Sequence, residues 1–321
     1  MINKNLVLFL TNTCNLNCKY WFVNKNGDNT KLDFNRYKEI IDEWHDEISS
    51  ITFFGGEPLF CKDLILSIIE YNKLHDYQFS YNLNTNGVLI DDELIQLIVN
   101  NNVLVNVSLD GHKISNEQNR FDKDTFDVVL KNVLHLIGRK VEVVINYVIT
   151  PNNVKYFNSS IDFFREYGIN TVCLMINYEV EWSKIDLLEF KMQLDTFENC
   201  FSNRNNDFRL YPLQNKLYAI LENEEVKKCN FGNENIVVSQ DGKIYPCVSF
   251  VDDKNFEVID GKLFDNTVDT SKCLNCKYLK YCVNNCMCRN RNAKSKFDVN
   301  CEFEKTFIDF AYKVARNMVK F

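Results

Sequence analysis

The chain has 321 residues, of which 45% are hydrophobic and 25% charged, and its 37 Lys and Arg against 44 Asp and Glu give a formal net charge of −7. These proportions are those of a globular protein with enough apolar material for about two domains. The acidic balance argues against nucleic acid as a partner. Because we find neither a long apolar run nor a signal peptide, we expect a cytoplasmic protein that has no membrane partner.

The 13 cysteines are the unusual feature of the composition. A secreted disulfide scaffold is normally a short chain with a signal peptide. In a longer chain without one, clustered cysteines favour metal ligation or redox chemistry.

Short apolar runs alternate with helix-like segments through residues 1–176. The runs predict strands over 6–10, 51–54, 77–83, 103–109, 141–149 and 171–176. Apolar spacing of three to four residues predicts helices over 34–48, 62–75, 91–100, 124–137 and 154–167. Repeated strand–helix units predict an α/β fold with a parallel sheet, in which functional groups gather at the carboxyl ends of the strands.

The last third of the chain has a different character. Residues 186–222 have a helical pattern, and the sequence from Cys229 onward is rich in cysteines and turns. Asp241-Gly242 between two apolar runs predicts a hairpin, and residues 302–319 predict an amphipathic helix. We therefore predict two domains, residues 1–215 and 216–321.

Four short motifs follow the first four predicted strands. They are Cys14-Asn15-Leu16-Asn17-Cys18-Lys19-Tyr20-Trp21, Gly55-Gly56-Glu57-Pro58, Asn84-Thr85-Asn86-Gly87 and Ser108-Leu109-Asp110-Gly111. Each motif alone is weak, because two cysteines four residues apart also occur as half of a zinc site or as buried small side chains. Together, at one rim of one sheet, they resemble the radical S-adenosylmethionine (radical SAM) enzymes.

In radical SAM enzymes, three thiolates of a CxxxCxxC loop hold a [4Fe–4S] cluster whose open iron chelates S-adenosylmethionine. The resemblance implies a partial (β/α)6 TIM-like barrel and hydrogen abstraction by a 5′-deoxyadenosyl radical. It implies cluster ligation by Cys14 and Cys18. The cofactor-binding residues that it implies are Tyr20, Gly55, Gly56, Glu57, Pro58, Ser108 and Arg120. Considered by itself, Arg120 would more simply be part of a surface ion pair.

The third ligand position of this loop holds Trp21 in place of cysteine. An indole offers an N–H donor and no lone pair for iron, so we expect a cluster that is labile, of another type or absent. Three explanations stay open. The radical chemistry is disabled while the fold persists; or a water or a remote thiol such as Cys61 completes the site, although a buried core cysteine is the commoner role; or the chain is a non-catalytic binding scaffold.

Seven cysteines near the C-terminus follow a definite spacing. Twelve residues separate Cys229 from Gly242, four more lead to Cys247, and Cys273-x2-Cys276-x5-Cys282-x3-Cys286 and Cys301 follow. This resembles the SPASM extension of radical SAM proteins, a small cysteine-rich α+β domain with two auxiliary [4Fe–4S] clusters. The alternative is a pair of four-thiolate zinc sites on an unrelated α/β fold.

The resemblance divides these cysteines between two clusters. The first would take Cys229, Cys247 and Cys286, and the second would take Cys273, Cys276, Cys282 and Cys301. The fourth ligand of the first cluster stays open: it is either a vacant iron position that a substrate thiol could occupy, or Cys288.

SPASM proteins mostly modify peptides or proteins. The resemblance therefore implies an oxidoreductase that matures a ribosomally made peptide, with a peptide or protein substrate and an electron donor such as flavodoxin or ferredoxin. The sulfatase-maturing branch typically carries aspartate directly after the Cys247 position, and Val248 stands there instead. This argues against that branch, and a non-catalytic iron–sulfur scaffold that binds peptides remains the alternative from another class.

Overall fold

The computed structural model describes residues 4–20, 29–120, 125–201, 207–229, 231–258, 271–283, 286–292 and 298–319. The strands in these ranges are β1 (Lys4–Phe9), β2 (Ile48–Phe54), β3 (Ser80–Thr85), β4 (Leu104–Ser108), β5 (Val143–Ile149), β6 (Thr171–Ile176), β7 (Arg209–Tyr211), β8 (Asn235–Val238) and β9 (Ile244–Tyr245). The helices are α1 (Phe34–Trp44), α2 (Lys62–Leu74), α3 (Asp92–Asn100), α4 (Lys113–Asn119), α5 (Thr125–Gly138), α6 (Phe157–Glu166), α7 (Lys184–Phe201), α8 (Leu213–Leu221), α9 (Met287–Asn292) and α10 (Val299–Val319).

All nine strands form one sheet in the order β7-β6-β5-β4-β3-β2-β1-β8-β9. Every neighbouring pair from β7 to β8 is parallel, and only β8 and β9 pair in the antiparallel direction. The connecting helices supply the crossovers that parallel strands require. The predicted α/β class with a parallel sheet is confirmed, and the carboxyl ends of eight strands meet at one edge.

The C-terminal part of the chain extends this sheet. Strand β8 pairs with β1, with Leu6 opposite Ile236, and β9 follows through the predicted hairpin, whose Gly242 has a φ of +80°. Helix α10 packs on α7 and α8, where Lys216 and Glu304 are 1% and 4% exposed and form an ion pair of 2.7 Å.

The prediction of one helical region over 186–222 is wrong. Helix α7 ends at Phe201 and is followed by strand β7, which pairs with β6 by placing Arg209 opposite Thr171. Pro212 disfavours helical geometry in the residue before it, and Leu210 is fully buried in the extended strand. The predicted boundary between residues 215 and 216 falls inside α8.

Helix α4 was not predicted, because it lacks the apolar periodicity of a core helix. It is held instead by buried polar side chains. Asn116 Oδ1 accepts from the backbone N–H of Asp110 at 2.9 Å, and Asn119 Nδ2 donates to the Val148 carbonyl at 3.0 Å. The helix therefore binds to the ends of β4 and β5 and delivers Arg120 to the same edge of the sheet.

Candidate functional site

A cavity of about 490 Å³ opens at the carboxyl edge of the sheet. The predicted site residues that line it are Cys14, Cys18, Tyr20, Gly55, Gly56, Ser108 and Arg120. Glu57 and Pro58 lie behind the wall and do not line it. Trp21 lies outside the described residues.

The loop that carries Cys14 and Cys18 is fixed by its neighbours. The Cys14 sulphur accepts from the backbone N–H of Leu16 at 3.4 Å and faces Asn86 Nδ2 at 3.8 Å. The same amide of Asn86 donates to Asn15 Oδ1 at 2.8 Å. The motif after β3 thus positions the motif after β1.

Cys61, the remote thiol considered as a substitute ligand, is 4% exposed and packs in the hydrophobic core. Its sulphur faces the Leu10 carbonyl at 3.8 Å, and it does not line the cavity. Cys61 is therefore a buried core cysteine, which is the commoner of the two roles considered for it.

Gly55 and Gly56 are required by the packing of one loop on another. A Cβ atom on Gly56 would lie 2.4 Å from the Thr13 carbonyl oxygen, and one on Gly55 would lie 2.6 Å from that of Thr11. Gly55 also has a φ of +146°, which favours glycine. In the structure these glycines admit the backbone of the cysteine loop, and they also line the cavity, where their contact with the cofactor stays a prediction.

Gly56→Ala is expected to displace the cysteine loop, and to lower the free energy of unfolding by about 1–3 kcal/mol because the nearest atoms are backbone atoms that cannot move aside. Anaerobic urea unfolding and iron retention measure the effect. Gly138→Ala is the matched control, because nothing lies within 4 Å of its Cβ position. An iron content and stability equal to those of this control would refute the packing argument.

Glu57 joins two of the motifs from behind the cavity. Its fully buried carboxylate accepts from the Thr85 hydroxyl at 2.7 Å, from the Asn86 N–H at 2.7 Å and from the Leu59 N–H at 3.2 Å. Burial raises its pKa to about 7, against the lowering effect of these donors. The residue shapes the loops rather than the cavity surface.

This raised pKa predicts a pH dependence of stability. Between the unfolded and folded pKa values the folded protein holds a proton that the unfolded chain releases, so stability falls as pH rises through this interval. From about pH 5 to about pH 8 we expect the wild type to lose about 3 kcal/mol relative to Glu57→Gln, which does not titrate. Urea unfolding of both proteins across this range measures the difference, and parallel curves would contradict the prediction.

Tyr20, Asp110 and Arg120 form a buried polar triad at the cavity wall. Tyr20 donates to Asp110 Oδ2 at 2.8 Å, Arg120 donates to the Tyr20 hydroxyl at 2.6 Å, and Arg120 Nε lies 3.4 Å from Asp110 Oδ2. Burial raises the pKa of Asp110, and the Arg120 cation opposes this shift. Arg120 is 7% exposed, so the simpler expectation of a surface ion pair is wrong.

The rest of the cavity wall includes residues whose place there was not evident from the sequence. Val248, Ser249, Cys288 and Arg289 line it from the C-terminal part of the chain. Met175, Ile176, Asn177, Tyr178 and Glu179 line it from the end of β6. The latter lie at or just after a predicted strand, so the strand-end rule could have found them; no spacing signal indicates the C-terminal wall.

Four cysteines come together at the C-terminal part of this wall, and one of them, Cys288, lines the cavity. Cys286 Sγ lies 3.5 Å from Cys288 Sγ, Cys229 hydrogen-bonds to Cys286, and Cys247 hydrogen-bonds to Cys288. We call them the first cysteine group. It contains the predicted Cys229, Cys247 and Cys286, together with Cys288.

The other predicted set lies around a separate small cavity of about 50 Å³. Cys273, Cys276, Cys282 and Cys301 all line it, and we call them the second cysteine group. Arg289 borders both this cavity and the large one. Among the residues described, no three or more His, Cys, Asp or Glu side chains are already closed around a metal-sized point.

The family model of the Radical SAM superfamily matches residues 8–164, which carry the motifs after β1 to β4. Residues 8–164 are a radical SAM domain. The chain is also 26% identical, over 93% of its length, to the cysteine-type anaerobic sulfatase-maturating enzyme of Clostridium novyi (strain NT), of which it covers 92%.

Two solved structures share the fold of this chain. AnSMEcpe with bound AdoMet and Kp18Cys peptide has a TM-score of 0.80 and 23% identity, with 99% of each chain covered. SuiB of Streptococcus suis bound to precursor peptide SuiA has a TM-score of 0.68 and 18% identity, with 92% of this chain and 74% of that chain covered. Within the described ranges, no helix combines the length and apolar character needed to cross a bilayer.

Proposed function

We propose that this radical SAM protein modifies a peptide or protein by hydrogen abstraction. The observation that carries the proposal is a single cavity that is lined both by the loop of Cys14 and Cys18 and, through Cys288, by the first cysteine group. A relative over nearly the whole chain is a sulfatase-maturating enzyme, and structural relatives hold AdoMet and peptides.

The residues at the cavity fit the cofactors of the family. Thiolates are the usual ligands of iron–sulfur clusters, and Cys14 and Cys18 would hold the first cluster. Ser108 and the Arg120 guanidinium line the cavity where they would hold S-adenosylmethionine, whose carboxylate suits a forked cation. When bound, these cofactors supply one-electron chemistry that removes hydrogen from a substrate. The protein supplies ligands, position and protection from water.

The two C-terminal groups would hold the auxiliary clusters of a SPASM domain. The first group borders the cavity, and the second lies beyond Arg289, away from it. An electron donor such as flavodoxin or ferredoxin would supply the reducing electron.

A peptide suits the composition of the cavity. Asn84, Asn86, Asn146 and Asn177 line it together with apolar Met175. Amides both donate and accept hydrogen bonds, so they match the alternating donors and acceptors of a peptide backbone. This argues for a peptide rather than a highly charged small molecule.

Sulfatase maturation is the second candidate, favoured by identity over 93% of the chain to an enzyme with that activity. Val248 opposes it: this side chain lines the cavity where the resemblance expects a carboxylate base. The test is anaerobic incubation with a cysteine-containing sulfatase peptide and with Val248→Asp as the comparison. We expect the wild type to leave this peptide unchanged, and conversion of its cysteine to formylglycine by the wild type would establish the second candidate.

The proposed function is tested by 5′-deoxyadenosine release. Reconstituted protein is incubated anaerobically with S-adenosylmethionine and either dithionite or a reduced flavodoxin, and the nucleoside is measured by chromatography. We expect release that depends on Cys14 and Cys18, with Cys14→Ala/Cys18→Ala as the inactive comparison. Equal release by both proteins, or none from a fully iron-loaded Trp21→Cys variant, would exclude radical SAM activity.

A further inference from the structure

Cys288 stands outside the seven-cysteine spacing, yet it contacts two members of the first cysteine group, Cys286 and Cys247. It is the second residue of α9, and its sulphur lies 3.5 Å from that of Cys286. It also contacts Cys247, so that the contacts run from Cys229 through Cys286 and Cys288 to Cys247.

The surroundings of this group suit bound thiolates. Cys247 accepts hydrogen bonds from the backbone N–H and hydroxyl of Ser249, and Cys286 accepts from the backbone N–H of Arg289. Donors to sulphur stabilise a charged cluster and adjust its potential. These hydrogen-bond donors would therefore stabilise the negative charge of thiolate ligands in the first cysteine group.

Among the cysteines whose side chains the structure describes, no other competes for the fourth position in this group. The segment 230–246 contains none. Cys61 lies in the core of the sheet and Cys173 lies on β6, and neither lines the cavity. The four members of the second cysteine group surround their own cavity.

We infer that Cys288 is the fourth thiolate of the first auxiliary cluster, and that this cluster is consequently closed to substrate ligands. The inference rests on the proposed function, because it concerns a cluster that this function uses. A cluster with four protein thiolates has no iron position for a substrate thiol. Since Cys288 also lines the cavity, this residue would hold the cluster next to the substrate, where the cluster would supply electron transfer.

The test replaces Cys288 in a variant that already lacks the two thiolates of the loop after β1. In Cys14→Ala/Cys18→Ala, the iron that remains belongs to the two C-terminal groups. Adding Cys288→Ala is expected to remove up to about half of this iron, or to leave a cluster that gives a three-iron EPR signal after mild oxidation. Cys288→Ser keeps the side-chain size and is expected to retain more iron with an altered EPR spectrum, while Cys61→Ala is the matched control.

The outcomes separate this inference from the proposed function. Iron, sulfide and EPR properties that are the same for Cys288→Ala as for Cys61→Ala would overturn the inference and leave the proposed function intact. An iron-free parent background would exclude the auxiliary clusters and the inference together. A three-iron signal from the parent background itself would show an open iron and would also overturn the inference.

Discussion

Trp21→Cys is expected to raise the iron content by roughly four per chain and S-adenosylmethionine cleavage by at least about tenfold. Cys14 and Cys18 lie on one short loop at the cavity, and position 21 completes the spacing of the third ligand. The indole of tryptophan cannot ligate iron. We therefore expect a third thiolate to complete a site that otherwise has two.

Iron and sulfide analysis after anaerobic reconstitution, followed by measurement of 5′-deoxyadenosine, checks this expectation. Trp44→Cys is the control, because it adds a thiol at the end of α1 without completing the loop. The expectation fails if wild type and Trp21→Cys hold equal iron and cleave the cofactor at equal rates. That result would mean that another ligand already completes the site.

Arg120→Leu is expected to lower the free energy of unfolding by about 3–5 kcal/mol, because it leaves a buried carboxylate without its cation. Asp110 is 0% exposed and lies 3.4 Å from the Arg120 Nε. Its other oxygen accepts the backbone N–H of Val148 at 3.0 Å. The loss of Arg120 is expected to raise the pKa of Asp110 further and to remove the contacts that Arg120 makes with Tyr20 and Asp110 at the cavity wall.

The double variant Arg120→Leu/Asp110→Asn separates stability from ligand binding. The amide that replaces the Asp110 carboxylate is uncharged and can still accept from Val148, so we expect most of the lost stability to return. If Arg120 binds S-adenosylmethionine, the affinity stays at least about tenfold weaker in both variants, since a charge-assisted hydrogen bond is lost. Urea unfolding and equilibrium binding measure the two properties. An affinity that recovers together with stability would assign Arg120 a structural role only.

The sequence was sufficient for the parts of the site that have a fixed relation to strand ends. Motifs at or after the ends of β1, β2, β3 and β4 reach the cavity because the carboxyl ends of parallel strands share one edge. The hairpin around Gly242 is equally local, since its turn depends on two residues. Such features need no knowledge of what packs against them.

Features set by tertiary partners were not predictable in this way. Strand β7 exists because β6 offers a free edge, and α4 exists because buried amides tie it to β4 and β5. The role of Gly56 depends on the backbone of a loop more than forty residues earlier. The position of Cys288 depends on its packing with other cysteines of the first cysteine group. From the spacing alone, the fourth ligand of the first cluster is either Cys288 or a vacant iron position.

Iron and sulfide content of the anaerobically purified wild type, together with EPR of the reduced protein, tests the central claim most directly. Two C-terminal clusters predict a brown protein with roughly eight iron atoms per chain, and any occupancy of the first site adds to this number. A colourless protein that contains zinc, or no metal, would contradict the account.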